Sequence, residues 1–160
     1  MRFIIVIALL IGVHTSAVAG ELHVVVNGKA IHLEGGDYNE DNWGLGLEYD
    51  FTTKTDWITF VNASWFKDSN YNTSKYAGGG IKRRFRLDNK DDGWFFDAGA
   101  IAFLMTRKDF QNNDPFPGIL PFVAVGNGPV TMNLSYIPSV SPKYKALLYF
   151  QLLVRVKTFE

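Results

Sequence analysis

Hydrophobic and polar residues alternate along most of the chain, in short segments separated by stretches rich in turn-forming residues. A period of two is typical of β-strands whose two faces meet different surroundings. The pattern predicts eight strands, at approximately residues 22–33, 43–51, 57–68, 76–87, 94–107, 118–126, 130–138 and 146–156. The first of these segments alternates poorly, so its two faces cannot be assigned from the period.

The second segment alternates most clearly, with large apolar residues on one face and small or acidic residues on the other. The apolar face carries Trp43, Leu45, Leu47, Tyr49 and Phe51, and the other carries Gly44, Gly46, Glu48 and Asp50. A soluble β-sandwich or a lipocalin-like barrel would also alternate but would bury its apolar face. The period alone therefore leaves both classes open.

The N-terminal residues and the composition favour a membrane barrel. A basic Arg2, the apolar run 3–13 and the small residues Ala17 and Ala19 predict a signal peptide over residues 1–19. The run is shorter than the roughly 20 residues that span a bilayer as a helix. Aromatic residues make up 15% of the chain, and no later apolar run is long enough for a membrane helix. Because lipid requires internal pairing of every backbone polar group, we expect residues 20–160 to form one all-β, eight-stranded antiparallel β-barrel in the bacterial outer membrane.

Composition also excludes several classes of function. The chain has no cysteine and only three scattered histidines, which argues against a disulfide framework and against a metal site. Its formal net charge is zero and no basic stripe is present, so a nucleic-acid partner is not expected.

The predicted inward residues change in character with depth. The periplasmic half carries charges of both signs: Glu48, Asp50, Lys82, Arg84, Arg86, Asp97 and Arg155. The outer half carries glycines and apolar residues: Gly44, Gly46, Gly78, Gly80, Gly99, Ile101, Phe103 and Met105. Buried charges must pair, so we expect a salt-bridged plug below and a narrow apolar pocket above, with room for one slim ligand. Alternatively, the glycines only accommodate the curvature of the barrel.

Several sequence patches then resemble a known family. They are Ala30–His32, Tyr38–Glu40 with Trp43-Gly44, Phe66–Ser69 with Ala77–Gly80, and a long one from Leu120-Pro121 to Pro138. In these patches the chain resembles the lipid A palmitoyltransferases, the PagP family of Gram-negative outer membranes. The resemblance implies an acyltransferase without a cofactor, acting as a monomer in the membrane, with a phospholipid as acyl donor and lipid A as acceptor.

The resemblance also implies positions for the site. The active residues match His32, Asp68 and Ser69, and the acyl pocket, formed by Gly78, Gly80, Ile101, Phe103 and Met105, would end at Gly80. Pro121 and Pro138 match two prolines that open the barrel wall between the sixth and seventh strands, since proline has no N–H for a ladder. Asn27 and Asn42 stand where the family has a second such gap.

Acyl transfer requires a base for the acceptor hydroxyl and stabilisation of the oxyanion. His32 is the only side chain on the predicted outer rim of the type that exchanges protons near neutral pH. Asp68 would orient its ring, and Ser69 would serve as a hydrogen-bond donor or a nucleophile. Asp68–Asn70 is equally an ordinary turn sequence, and His23 is expected to be a polar surface residue. A non-catalytic lipid-binding or structural barrel, and a lipid A deacylase, are the alternative functions.

Overall fold

The computed structural model describes residues 19–52, 54–90, 92–139 and 145–160; apart from Ala19, the predicted signal peptide lies outside them. The strands of the described chain are β1 (Gly20–His32), β2 (Asp41–Phe51), β3 (Trp57–Lys67), β4 (Thr73–Arg86), β5 (Trp94–Thr106), β6 (Phe116–Asn127), β7 (Val130–Ile137) and β8 (Leu147–Phe159). A single turn of 3₁₀-helix covers Gln111–Asn113. Among these residues, no helix is long and apolar enough to cross a membrane.

Each strand pairs antiparallel with its neighbours in sequence, and β1 pairs with β8, so that the sheet closes into a barrel. Because the sheet is closed, each strand has a paired neighbour on both sides over at least part of its length. The predicted all-β, eight-stranded antiparallel β-barrel is therefore confirmed, and each predicted segment overlaps one observed strand. Gly20 of β1 and Phe159 of β8 lie at one end of the barrel, with the turns that follow β2, β4 and β6. The loops that follow β1, β3, β5 and β7 lie at the other end, which we call the outer end.

The alternation in β2 and β7 has the predicted orientation. In β2, Trp43 is 57% exposed and Leu47 is 53% exposed, whereas Asp50 on the opposite face is 3% exposed. In β7, Met132 faces outward and Asn133 is buried. The apolar face of the sheet is thus the outer one, which is the arrangement of a membrane barrel and the opposite of a lipocalin-like barrel.

A bulge in β1 explains why its sequence does not alternate. Asn27 pairs with Gln151 of β8, but the next paired residue, Ala30, lies opposite Tyr149, so β1 contains one extra residue. Inward residues are odd-numbered up to Asn27 and even-numbered from Ala30 onward. The bulge thereby turns His32 toward the lumen; unbroken alternation would have turned it toward lipid.

Ion pairs fill the periplasmic half of the lumen, as predicted. Lys82 Nζ lies 2.9 Å from Glu48 Oε1 and 2.7 Å from Asp50 Oδ2, and all three side chains are buried. Arg84 donates two hydrogen bonds, of 3.0 and 2.9 Å, to the carboxylate of Asp97. The predicted salt-bridged plug is confirmed with one correction. Arg86 is exposed at the periplasmic mouth instead of lying within the plug, because the barrel interior ends below Arg84.

Removing the cation of Lys82 should destabilise the barrel. In Lys82→Met, the carboxylates of Glu48 and Asp50 would remain buried without a counter-charge, which costs about 3–5 kcal/mol of unfolding free energy. Guanidinium unfolding of the barrel refolded in lipid vesicles measures the loss. Lys75→Met, which changes an exposed lysine of the same strand, should alter the free energy by less than about 0.5 kcal/mol. Equal losses in the two variants would contradict the structural role of the plug.

Candidate functional site

A cavity of about 530 Å³ occupies the lumen between the plug and the outer loops. Its inner end includes the rings of Phe60 and Phe122, which meet edge to face with centroids 5.7 Å apart. Lys82 Nζ, from the plug, lies 5.1 Å from the Phe60 centroid. The volume is within the range of about 300–1,000 Å³ that is typical of small-ligand pockets. The plug therefore closes the cavity from below.

A buried hydrogen-bond network supports one wall of the cavity. Asn27, 1% exposed, donates to Ser64 Oγ at 2.7 Å and accepts hydrogen bonds of 2.8 Å from both Tyr149 and Gln151. Gln151 also donates to the hydroxyl of Tyr76 at 3.0 Å. These bonds satisfy polar groups that burial would otherwise leave without partners. The two tyrosine rings can thus line the cavity while their hydroxyls remain paired.

His32 ends β1 at the outer mouth of this cavity. Its side chain is 6% exposed, and its ring stacks on Tyr38 with centroids 4.2 Å apart. Its Nδ1 is buried, has no hydrogen-bond partner in the described chain, and lies 3.8 Å from Glu40 Oε1. The backbone N–H of His32 donates to the same Glu40 oxygen at 3.2 Å. The stacked tyrosine and the fixed backbone hold the imidazole in place.

Asp68 organises the turn that follows β3. One carboxylate oxygen accepts the backbone N–H groups of Asn70 and Asn72 at 2.9 and 3.0 Å, and the other accepts the hydroxyl of Ser74 at 2.8 Å. Asp68 is completely buried. Asp68 was expected to orient the ring of His32. Its carboxylate oxygens instead accept hydrogen bonds from its own turn, and no ion pair joins it to His32 within the described residues. Glu40 is the carboxylate beside His32.

Asn39 joins the His32 loop to the Asp68 turn. Its backbone N–H donates to the carbonyl of Ser69 at 2.9 Å, and its side-chain amide donates to the carbonyl of Asp68 at 3.0 Å. His32, Tyr38, Asp68 and Ser69 consequently line the same cavity mouth. In the sequence, Tyr38 and Asn39 lie in a patch that resembles the PagP family, but neither residue type by itself indicates a role in acyl transfer.

The residues assigned to the acyl pocket divide into two groups. The cavity lining includes Ile101, Phe103 and Met105. Gly78 and Gly80 are not among the described residues that line it, which corrects their assignment. A Cβ on either glycine would meet a backbone oxygen of β5, of Ala102 or Ala100 respectively, and on Gly80 would also lie 2.5 Å from Cζ of Phe60. These glycines allow close approach of neighbouring strands, as the curvature alternative predicted.

The barrel wall is incomplete between β6 and β7 at the outer end. Their pairing begins at Phe122 and Ser135, and residues 116–121 of β6 pair with β5 only, as far as the structure describes. Pro121 lies at the limit of this ladder, and Pro138 follows the end of β7. Proline has no N–H to donate, so it cannot extend the pairing.

The cavity reaches this gap. Ile119 and Leu120 are consecutive residues of a strand and face opposite sides of the sheet, yet both line the cavity. Between β1 and β2, by contrast, pairing continues as far as Asp41. There Asn27 and Asn42 are buried and donate side-chain hydrogen bonds to β3. In the described chain the gap beside β6 is thus the lateral opening to the cavity.

Comparisons with known proteins agree in pointing to one family. The family model "Antimicrobial peptide resistance and lipid A acylation protein PagP" matches residues 31–152. A "Lipid A acyltransferase PagP" of Bordetella pertussis is 32% identical over 116 residues, which cover 71% of this chain and 60% of that protein. Another, of Shigella boydii, is 36% identical over 105 residues, which cover 63% of this chain and 53% of that protein. The chain thus matches between about half and 60% of the length of these curated relatives.

Solved structures of Ail, the attachment invasion locus protein of Yersinia pestis, are distantly similar. A crystal structure covers 87% of this chain and 98% of Ail with a TM-score of 0.48 and 12% identity. A structure in a phospholipid bilayer nanodisc covers 86% of this chain and 99% of Ail with a TM-score of 0.47 and 14% identity. At such scores the similarity supports no inference about function.

Truncating Asn39 should loosen the cavity mouth without unfolding the barrel. Asn39→Ala would remove the amide that joins the two outer loops, at a cost of about 1–3 kcal/mol for the groups left unpaired. Amide hydrogen exchange at residues 69–72 should accelerate. Asn89→Ala, which changes an exposed asparagine at the opposite end, should leave that exchange unchanged. Unaltered exchange in Asn39→Ala would show that the loops are held by other contacts.

Proposed function

The chain belongs to the PagP family of lipid A acylation proteins, and on that premise we propose that it transfers a palmitoyl-type acyl chain from a phospholipid to lipid A. It is a protein of the bacterial outer membrane. The observation that carries the proposal is the mainly apolar cavity, closed at its inner end, with His32 and Ser69 together at its mouth. We further propose that the protein acts as a monomer, since one chain supplies both the cavity and these residues.

The donor enters from the lipid phase. A phospholipid in the outer leaflet can slide one acyl chain sideways through the gap between β6 and β7, where Pro121 and Pro138 interrupt pairing and Ile119 extends the apolar lining to the barrel surface. The chain then lies along Ile101 and Phe103, and its ester group remains at the outer mouth. Burial of a slim chain in the lumen gains dispersion contacts, because lipid already removes the chain from water.

Transfer then proceeds at the ester carbonyl. The imidazole of His32 accepts the proton of a lipid A hydroxyl as the hydroxyl oxygen bonds to the carbonyl carbon. The hydroxyl of Ser69 donates a hydrogen bond to the resulting oxyanion. When the tetrahedral intermediate collapses, the bond to the donor glycerol oxygen breaks, and the protonated imidazole returns its proton to that oxygen. The products are acylated lipid A and a lysophospholipid.

Asp68 acts as a positioning residue, because its carboxylate holds the turn that presents Ser69.

Gly80 would set the accepted chain length indirectly. The ring of Phe60 lies against Gly80 at the inner end of the cavity. Any side chain on Gly80 must displace that ring. Because the plug lies beneath the ring, the ring would move into the cavity. The floor would then rise, and the longest acceptable chain would become shorter.

Loss of the base should nearly abolish acylation. His32→Gln should lower the rate by about 10²–10⁴-fold, and Ser69→Ala should lower it by a smaller factor if Ser69 only donates a hydrogen bond. Mass spectrometry of lipid A from cells that express each variant detects the added acyl group, with Asn89→Ala as the control. Lipid A that gains no acyl group even with the intact protein would favour a non-catalytic lipid-binding barrel. Lipid A that loses mass would favour a deacylase.

Two neighbouring glycines provide a matched test of chain-length selection. Gly80→Ala should shift the transferred chains toward shorter lengths. Gly79→Ala, whose Cβ would point outward with its nearest contact 3.2 Å away, should leave the lengths unchanged. Because Gly80→Ala also crowds a backbone oxygen, Phe60→Leu serves as a second variant, and it should admit longer chains. Identical length distributions in all three variants would refute the proposed floor.

A further inference from the structure

His23 is buried at the periplasmic end, which corrects its expected place on the surface. In the part of β1 that precedes the bulge after Asn27, odd-numbered side chains face the lumen, and His23 is 5% exposed. Both of its ring nitrogens are buried without a hydrogen-bond partner among the described residues. Burying a polar group without a partner costs free energy. The described chain therefore leaves both ring nitrogens without a hydrogen bond.

Two carboxylates face the ring at equal distances. His23 Nε2 lies 3.6 Å from Glu21 Oε2 and 3.6 Å from Asp50 Oδ2. These separations are too long for hydrogen bonds. Two ligands held about 2.1 Å from one tetrahedral metal ion, by contrast, lie roughly 3.4 Å apart. The three ligand atoms lie within 4.8 Å of one another, so a single ion between them would reach all three with small adjustments.

The surrounding charges leave room for a divalent cation. Apart from His23, which lies between them, the buried and half-buried groups of these ion pairs are three carboxylates and two cations, a balance of minus one: Glu21, Glu48 and Asp50 against Lys82 and Arg155. Asp92, which also pairs with Arg155, is 64% exposed. Arg84 and Asp97 form a separate neutral pair. Asp50 Oδ2 also contacts the ammonium group of Lys82, but Lys82 forms an ion pair with Glu48 as well. The remaining cations of this crevice, Arg86 and Lys90, are exposed, where solvent and salt screen their charges.

We propose that Glu21, His23 and Asp50 bind a divalent transition-metal ion, of which Zn²⁺ is the natural probe. One imidazole and two carboxylates are ligands that zinc accepts. A polar crevice of about 130 Å³, lined in part by Glu21, His23 and Arg155, opens beside the site and leaves space for a water as fourth ligand. The ion would join β1 to β2 next to the seam where β1 meets β8. Its role is to stabilise barrel closure, and it is independent of the proposed acyl transfer at the opposite end.

Titration of the full chain, folded in detergent micelles and stripped with a chelator, tests the site. Calorimetry with Zn²⁺ should give one bound equivalent, and the thermal unfolding temperature should rise. Co²⁺ should produce the visible absorption of a tetrahedral site. His23→Gln and Glu21→Gln should each weaken binding by more than about tenfold, since even residues that only support a metal ligand contribute 10–100-fold. His32→Gln, which alters the one other histidine outside the predicted signal peptide, should bind zinc normally.

Circular dichroism and heat-dependent gel mobility verify that each variant has folded. Binding that survives unchanged in both His23→Gln and Glu21→Gln would overturn the proposal. So would an intact protein that takes up no zinc above the buffer blank, or one whose unfolding temperature does not respond to zinc. Loss of lipid A acylation would not bear on the site, because His23 and the acyl-transfer residues lie at opposite ends of the barrel.

Discussion

The requirement that backbone polar groups find partners inside lipid governs the rest of this structure. Eight strands meet it by pairing in sequence order and closing between β1 and β8. Three features follow from the closed sheet. The outer face carries apolar side chains, the lumen is enclosed, and the wall can open only where the pairing between two strands is interrupted. The outer part of β6 is such a place, and two prolines lie beside it.

The enclosed lumen is divided by chemistry into two compartments. Below, Lys82 and Arg84 form ion pairs with buried carboxylates, and these side chains fill the lumen. Above, aromatic and aliphatic side chains surround a cavity that ends on Phe60. The lower compartment supports the upper one, because a cavity without a floor would be a channel. With this floor, the lumen is a cavity with one closed end and not a continuous channel.

The cavity mouth is built from loops that are distant in sequence. Asn39 carries hydrogen bonds from the loop after β1 to the turn after β3, and Asp68 holds that turn with its carboxylate. His32 and Ser69 thereby line one space, although no hydrogen bond or ion pair joins them within the described part of the chain. In the proposed mechanism, this preorganisation fixes the positions of the base and the hydrogen-bond donor before a lipid binds.

By itself, the sequence determined the number of strands, the outward face of β2 and β7, the charged plug and the prolines beside the gap, because a period of two and the cost of unpaired charge are local rules. Only the tertiary structure decided the rest. The bulge that turns His32 inward depends on the pairing of β1 with β8. The hydrogen bonds that hold the Asp68 carboxylate within its own turn depend on Ser74 and on the loop conformation. The ring of Phe60 that covers Gly80, and the burial of His23 between two carboxylates, depend on the register between neighbouring strands, β3 with β4 and β1 with β2. Such contacts join residues that no local pattern relates.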